Sequence, residues 1–248
     1  MGEVIGIVPA RSGSKGIPGK NLIQLDGQTL VNRAIDQCVR ARLVDHVAVS
    51  SDEEAILEAA PETVTKIHRP KELARDDSPI DETFQHAISF LRDIGREPEV
   101  LIWLQPNVPI RKEGIVDEVV EKLRATQDAT AVVTCKILDS RTRWAKVLSN
   151  DGWLSPLIEE FTDFRRQDLS STFLIDGSVI AFKVQNLSMI DGPHIHSYLG
   201  ERIIPIAQEQ AIYSLELDEP SDLLQLYQFL NQPIQHPSNE VLEEFFWP

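Results

Sequence analysis

The sequence predicts an α/β fold: a doubly wound, mostly parallel sheet wrapped by helices, with a small insertion. Three observations lead there. Short, unbroken apolar runs fit strands buried on both faces; stretches with apolar residues at helical spacing lie between them; and the two kinds of segment alternate from the N-terminus to about Cys135.

Val4–Val8 is the first apolar run, stopped by Pro9, and a glycine-rich loop follows it. From Thr29 to Arg42, the residues Leu30, Ala34, Ile35, Cys38 and Val39 fall on one helical face. Val44–Ser50 then reads as a strand, which completes a strand-loop-helix-strand unit. Glu53–Ala60 reads as a helix, Ile80–Ile94 as a longer amphipathic helix, Val100–Leu104 as a buried strand, Gly114–Ala125 as a helix and Ala129–Val133 as a strand. In such sheets ligands bind beyond the carboxyl ends of the strands. Residues 136–176 break the rhythm with Asn150-Asp151-Gly152 and Pro156, and are expected to form an insertion or arm. Strands are expected again at Ser178–Phe182 and Ala211–Leu217. A closing helix is expected from Ser221 to Leu230, capped by Asp218-Glu219-Pro220, and the tail through Trp247 is apolar enough to dock.

With 248 residues, 42% hydrophobic and 25% charged, the chain reads as a single domain, 1–248. At that size folding hides roughly 70–75% of the unfolded surface, so neither disulfide nor structural metal is needed. Cys38 and Cys135 lack C-x-x-C spacing and suit a reducing cytoplasm, as buried small hydrophobes. The N-terminus does not look like a signal peptide, and no apolar run approaches the ~20 residues needed to cross a bilayer. A soluble, cytoplasmic protein with no membrane partner is therefore expected. Lys and Arg total 24 against 39 Asp and Glu, a net charge of −15, which excludes nucleic acid as a general partner. Any site for a polyanion must be a local concentration of positive charge.

That concentration lies at Pro9-Ala10-Arg11-Ser12-Gly13-Ser14-Lys15-Gly16-Ile17-Pro18-Gly19-Lys20-Asn21, where the first strand ends. The glycines let backbone amides approach an anion, and one Arg with two Lys supplies the countercharge of a triphosphate. A P-loop is excluded, because Pro18 stands where its second glycine belongs and Asn21 follows Gly19-Lys20; a dinucleotide fingerprint fails because residue 15 is not glycine.

The stretch Val8–Asn21 resembles the signature loop of the CMP-N-acylneuraminate cytidylyltransferases, a family that includes enzymes for sialic, legionaminic and pseudaminic acids. Further segments agree in order: Ser50-Ser51-Asp52, Arg69-Pro70 with Leu73-Ala74 and Asp76, Leu104-Gln105-Pro106 with Pro109 and Arg111, Arg166-Gln167-Asp168-Leu169, Asp176-Gly177, and Leu215-Glu216-Leu217-Asp218. The resemblance implies a Rossmann-like nucleotidyltransferase fold and transfer of CMP from CTP to a small acidic sugar. It further implies that Arg11 and Lys15, with Ser12 and Gly13, contact the triphosphate, that Lys20 and Asn21 seat the nucleotide, and that Arg69 and Ser78 lie near the cytidine. Gln105, Arg166 and Asp176 would face the sugar; the other reading of Arg166 is a solvated partner of Asp163 or Asp168. A homodimer is implied as well, its arm carrying Trp144, Trp153, Leu154, Leu157, Ile158, Phe161 and Phe164.

Glu216 and Asp218 alternate with Leu215 and Leu217, so on a strand both carboxylates share a face. Hard oxygen ligands of this kind select Mg²⁺. The alternative is that these acids cap the helix after Pro220. The resembled family usually has two aspartates here, and it commonly has Thr-Ser at Asn107-Val108, Asn at Asp176 and Tyr at Ile180; these departures bear on acceptor choice. His194-Ile195-His196 reads as a surface pair, and Asp76-Asp77 as a polar turn before Pro79.

Overall fold

The computed structural model describes residues 2–158, 165, 167, 169–189 and 196–230. Its first strand, β1 (Glu3–Pro9), buries every residue from Val4 to Val8 because it has a strand on each side. After the basic loop, β2 (Gln24–Leu25) and β3 (Gln28–Thr29) make a two-stranded ribbon, whose turn uses Asp26 and Gly27 at positive φ. Then come α1 (Leu30–Arg40), β4 (His46–Ser51), α2 (Glu54–Ala59), β5 (Thr65–His68), α3 (Ile80–Asp93), β6 (Pro98–Trp103), α4 (Ile115–Ala125) and β7 (Ala131–Leu138). A second ribbon, β8 (Lys146–Leu148) with β9 (Leu154–Pro156), precedes β10 (Thr172–Lys183), β11 (Ile203–Ala207) and α5 (Pro220–Leu230).

Seven strands form one sheet in the order β11-β7-β10-β6-β1-β4-β5. All run parallel except β10, which is antiparallel to both β6 and β7. The chain moves outward from β1 to β4 and β5, then returns past β1 to β6. At such a reversal the loops leave in opposite directions and open a crevice at the carboxyl ends of β1 and β6.

The period-2 alternation of β1 divides the core between the sheet's faces. Val4 and Val8 pack with Val31, Ala34 and Ile35 of α1 and Val116, Val119 and Val120 of α4. Ile5 and Ile7 pack on the other face with Phe84, Ala87 and Leu91 of α3 and with Tyr198. A third cluster matters for function: Ile17, inside the basic loop and 1% exposed, packs with Leu217, Leu223 and Leu226. An apolar anchor thus ties the charged loop to the segment before α5.

Several expectations need correction. Ala211–Leu217 is not a strand: Ala211–Ser214 is a 3-10 turn, and no strand pairs with 215–218. The edge of β7 is instead filled by β11, whose Pro205 masks its strand character but is tolerated on an edge. β5, the opposite edge, is too short and too polar to show a pattern. The ends of the 136–176 insertion belong to the sheet, since Leu138 pairs with Thr172 and Cys135 with Ile175. Asp218 does not cap α5: Asp222, three residues into the helix, accepts from the amides of Asp218 and Glu219 at 2.8 and 2.7 Å. Asp76-Asp77 is a turn, as expected. Cys38 and Cys135 are buried and free, and no helix among the described residues is long and apolar enough to cross a membrane. The docking tail, Phe161, Phe164, Arg166, Asp168 and His194, the partner of His196 in the expected surface pair, lie outside the described residues.

Candidate active site

A cleft of about 390 Å³ opens at the carboxyl ends of β1 and β6, where the strand order reverses. The basic loop lines one side with Arg11, Ser14, Lys15, Gly16, Lys20 and Asn21; Arg69 follows β5; Trp103 ends β6, and Gln105 and Asn107 follow it; Asp218 closes the far side. A larger groove of about 870 Å³ lies at the opposite end of the sheet, between Glu97-Pro98-Glu99 and Lys183-Val184. Its charges are of both signs, and none of its lining residues carries a buried, unpartnered side-chain atom. Size alone therefore does not choose the site.

The basic loop is held in place at several points. Asn21, 7% exposed, donates its amide to the Arg11 carbonyl at 2.8 Å. Asp52 accepts from the Ser12 amide at 3.0 Å and from its hydroxyl at 2.7 Å. Burial pushes the Asp52 carboxyl up, but these bonds outweigh it and hold the group below its usual range. Gly19 sits at φ 64°, a conformation that favours glycine. Gly16 is required by packing: a Cβ there would lie 1.9 Å from the Asp218 carbonyl oxygen. The loop backbone is thus pressed against the segment that carries Asp218.

Charges in the cleft are paired locally. Asp76 accepts from both Lys15 and Arg11, whose bonds hold its carboxyl below the usual range. Lys20 reaches Asp218 Oδ1 at 2.8 Å, and Asn107 Nδ2 donates to the same oxygen at 3.1 Å. Burial raises the Asp218 pKa, but the Lys20 bond and charge, with the Asn107 bond, leave it below its usual value. Arg69 is 6% exposed and donates to Thr83 Oγ1 at 3.3 Å, while its Nε and Nη2 have no partner. Burial lowers its pKa, with Asp52 opposing and Arg11 adding to the shift. Trp103 Nε1 and Asn107 Oδ1 are likewise buried without a partner. Buried polar atoms normally find partners, so these three side chains mark a wall built to meet a polar ligand.

The wall after β6 is braced by Arg111, which is 8% exposed. It donates to the carbonyls of Ser178, Val108 and Gln105 at 2.8, 2.7 and 2.6 Å. Burial lowers its pKa to about 10. Gly177, at φ 60°, lets the Gln105 side chain lie against the β10 turn, where a Cβ would stand 2.5 Å from Nε2.

Glu216 and Asp218 share a face although no strand forms there: both border a hollow of about 660 Å³, with Leu217 buried between them. Burial and the neighbouring Asp218 push the Glu216 carboxyl up to about 7, with a smaller push from Asp176 and with Lys136 and Lys20 opposing.

Two expected site residues stand elsewhere. Asp176 is 0% exposed and accepts from Thr134 Oγ1 at 2.6 Å, from the Ser178 amide at 3.0 Å and from the Ser214 hydroxyl. Its carboxylate ties β7 and β10 to the turn that carries Ser214 and presents no free oxygen to a sugar. Ser78 donates to the Glu72 carbonyl at 2.6 Å and does not line the cleft. Conversely, Trp103 and Arg111 were not expected to shape the site, whereas Asn107, one of the departures that bear on acceptor choice, does line the cleft. Their signal was present in part: Trp103 ends a buried strand, and Arg111 closes Leu104–Arg111, a segment that carried the resemblance.

Residues 5–232 match the family described as cytidylyltransferase. An N-acylneuraminate cytidylyltransferase from Streptococcus agalactiae serotype V is 26% identical over 245 residues, covering 95% of this chain and 55% of that protein. The chain thus spans about half the length of that relative. A CMP-N,N'-diacetyllegionaminic acid synthase from Legionella pneumophila is 23% identical over 224 residues, covering 89% of this chain and 93% of that one. Among solved structures, a CMP:2-keto-3-deoxy-manno-octonic acid synthetase complexed with CTP superimposes with a TM-score of 0.66 at 16% identity, covering 93% of this chain and 99% of that one.

Proposed function

The chain belongs to the cytidylyltransferase family, and from that premise we propose that it transfers CMP from CTP to a nonulosonic, sialic-acid-like sugar acid with release of pyrophosphate. One observation carries the reading: Gly16 packs on the backbone of Asp218, so that three loop cations and a carboxylate border a single cleft at the strand-order reversal.

In this reading Arg11, Lys15 and the amides around Ser12 and Gly13 take the triphosphate, with Lys20 and Asn21 seating it, and Arg69 offers its two unpartnered nitrogens to the cytidine. A sugar hydroxyl attacks the α-phosphorus in line, a P–O bond to the sugar forms, the bond to the β-phosphate oxygen breaks, and the hydroxyl proton is lost to water. Arg11 and Lys15 stabilise the charge that develops on the leaving pyrophosphate. Gln105 and Arg166 are assigned to the sugar acid, the arginine because its planar fork grips a carboxylate through two bonds.

Asp218 and Glu216 would hold Mg²⁺. The donor set fits: Asp218 lines the cleft beside Lys20, and Glu216, a second hard carboxylate raised by burial and by Asp218, borders the adjoining hollow that Asp218 also lines. No group of three or more His, Cys, Asp or Glu able to hold a metal occurs among the described residues, so the ion's remaining ligands would have to come from substrate and water. When bound, the ion supplies Lewis-acid polarisation of the phosphate oxygens.

The apolar arm supports a homodimer. Leu148, Trp153 and Leu154 are 71%, 76% and 69% exposed, and Phe173 and Leu174 at the start of β10 are exposed as well. Buried free thiols support a cytoplasmic location.

The test is pyrophosphate release from CTP, UTP, ATP and GTP against a panel of N-acylneuraminate, legionaminate, pseudaminate and 3-deoxy-manno-octulosonate. Acid-dependent release from CTP alone is expected. Release of nothing from CTP with any acid would overturn the reading.

A further inference from the structure

Asn107 is the place where the wall after β6 meets the segment of Asp218, and it holds that segment twice. Its carbonyl accepts from the Leu217 amide at 2.8 Å, and its Nδ2 donates to Asp218 Oδ1 at 3.1 Å. Its side-chain orientation follows from charge: a carboxylate at hydrogen-bond distance selects the amide nitrogen, so the amide oxygen must point away. That oxygen is buried, in a residue 8% exposed, and has no partner. Asn107 lines the cleft together with Gln105 and Asp218. A buried amide oxygen left without a donor is unfavourable, a cost that a bound ligand would remove.

We propose that Asn107 is a two-sided residue: Nδ2 positions Asp218 for the transfer, while Oδ1 accepts from a hydroxyl or N–H group of the acceptor acid and so sets acceptor specificity. The inference rests on the proposed CMP transfer and adds to it a residue that the loop motif does not contain. It divides the two functions of one side chain between two measurable constants. Positioning Asp218 acts on kcat, and accepting from the acid acts on the acceptor's KM.

The experiment uses the full chain and the acid that the wild type turns over fastest with CTP, comparing Asn107→Asp with Asn107→Leu. The Asp variant keeps an oxygen in the place of Oδ1 but sets an acceptor against Asp218. Its kcat should fall about 10- to 100-fold, the size expected for one lost bond to a charged group, with the acceptor KM within about threefold. The Leu variant removes both groups, so kcat should fall similarly and the acceptor KM should rise about tenfold or more. Thermal melting of both variants separates misfolding from these effects; should Asn107→Leu melt early, Asn107→Ala replaces it with the same expected rise in KM. A kcat for Asn107→Asp within twofold of wild type, or an unchanged acceptor KM in the Leu or Ala variant, overturns the proposal alone. Absence of wild-type turnover with every acid overturns the underlying transfer reading, and this inference with it.

Discussion

The two walls of the cleft are built on opposite terms. The basic loop carries exposed charges: the Lys15 side chain is 81% exposed, and both Lys15 and Arg11 rest on one surface carboxylate, Asp76. The wall after β6 is a buried polar lattice, with Arg111 gripping three carbonyls and Asp176 accepting three bonds at 0% exposure. Exposed pairs are weak and exchange easily for a ligand, whereas buried, fully bonded groups are costly to disturb. The difference teaches a division of labour: the loop is free to trade its internal anion for a phosphate, and the opposite wall is preorganised to hold geometry.

Changes to each wall should therefore fail differently. Arg111→Leu removes the guanidinium that donates to three carbonyls, of which Gln105 keeps only the long bond from the Val108 amide at 3.3 Å, and should destabilise the fold by about 3–5 kcal/mol, read from the denaturation midpoint; a loss below about 1 kcal/mol would mean the lattice is not what holds this wall. Lys15→Ala should do the reverse, lowering kcat by ~10²–10³-fold while leaving the melting temperature nearly unchanged, because its charge matters only when phosphate is bound. Full turnover in that variant would remove the loop from the chemistry.

Glu216 sharpens the comparison through pH. Its folded pKa of about 7 stands above the ordinary 4.5, so the folded chain keeps a proton that the unfolded chain has released. Its contribution is full below about 4.5 and is lost as pH rises through 7, a fall of stability with pH. In a chelator, Glu216→Gln should stabilise the chain at pH 8 by about 1–2 kcal/mol, discounted for its partial exposure, and by little at pH 4. Equal effects at both pH values would contradict the assignment. The smallest change is expected for Asp76→Asn: with the internal anion gone, CTP should bind about two- to fivefold more tightly. Weaker CTP binding in that variant would show that Asp76 supports the nucleotide rather than competing with it.

Much of this architecture was legible in the chain itself. β1, β4, β6 and β7 are central strands whose continuous burial writes itself as apolar runs, and α1, α3 and α4 show one apolar face each. The edge strands were not legible: β11 contains Pro205 and β5 has four residues, and an edge needs neither pattern nor length. The phosphate loop was readable because its demands are local, glycine for backbone approach and cations for charge. The opposite wall was not, because its logic is tertiary. Nothing near Asp176 in sequence announces Thr134 or Ser214, whose hydroxyls turn an expected sugar contact into a structural brace. Likewise Glu216 and Asp218 alternate as on a strand although no strand forms, since Leu217 is held by Asn107 and by the cluster of Ile17 rather than by a ladder.

The claim on which the rest depends is that the Arg11–Asn21 loop holds CTP against Asp218. Calorimetric titration of CTP into the wild-type chain and into the Arg11→Ala/Lys15→Ala double variant tests it directly. Two lost charge-assisted contacts should weaken binding by about 100-fold or more, with the fold intact by thermal melting. Equal affinity for CTP in the two proteins would place the nucleotide elsewhere and contradict the account.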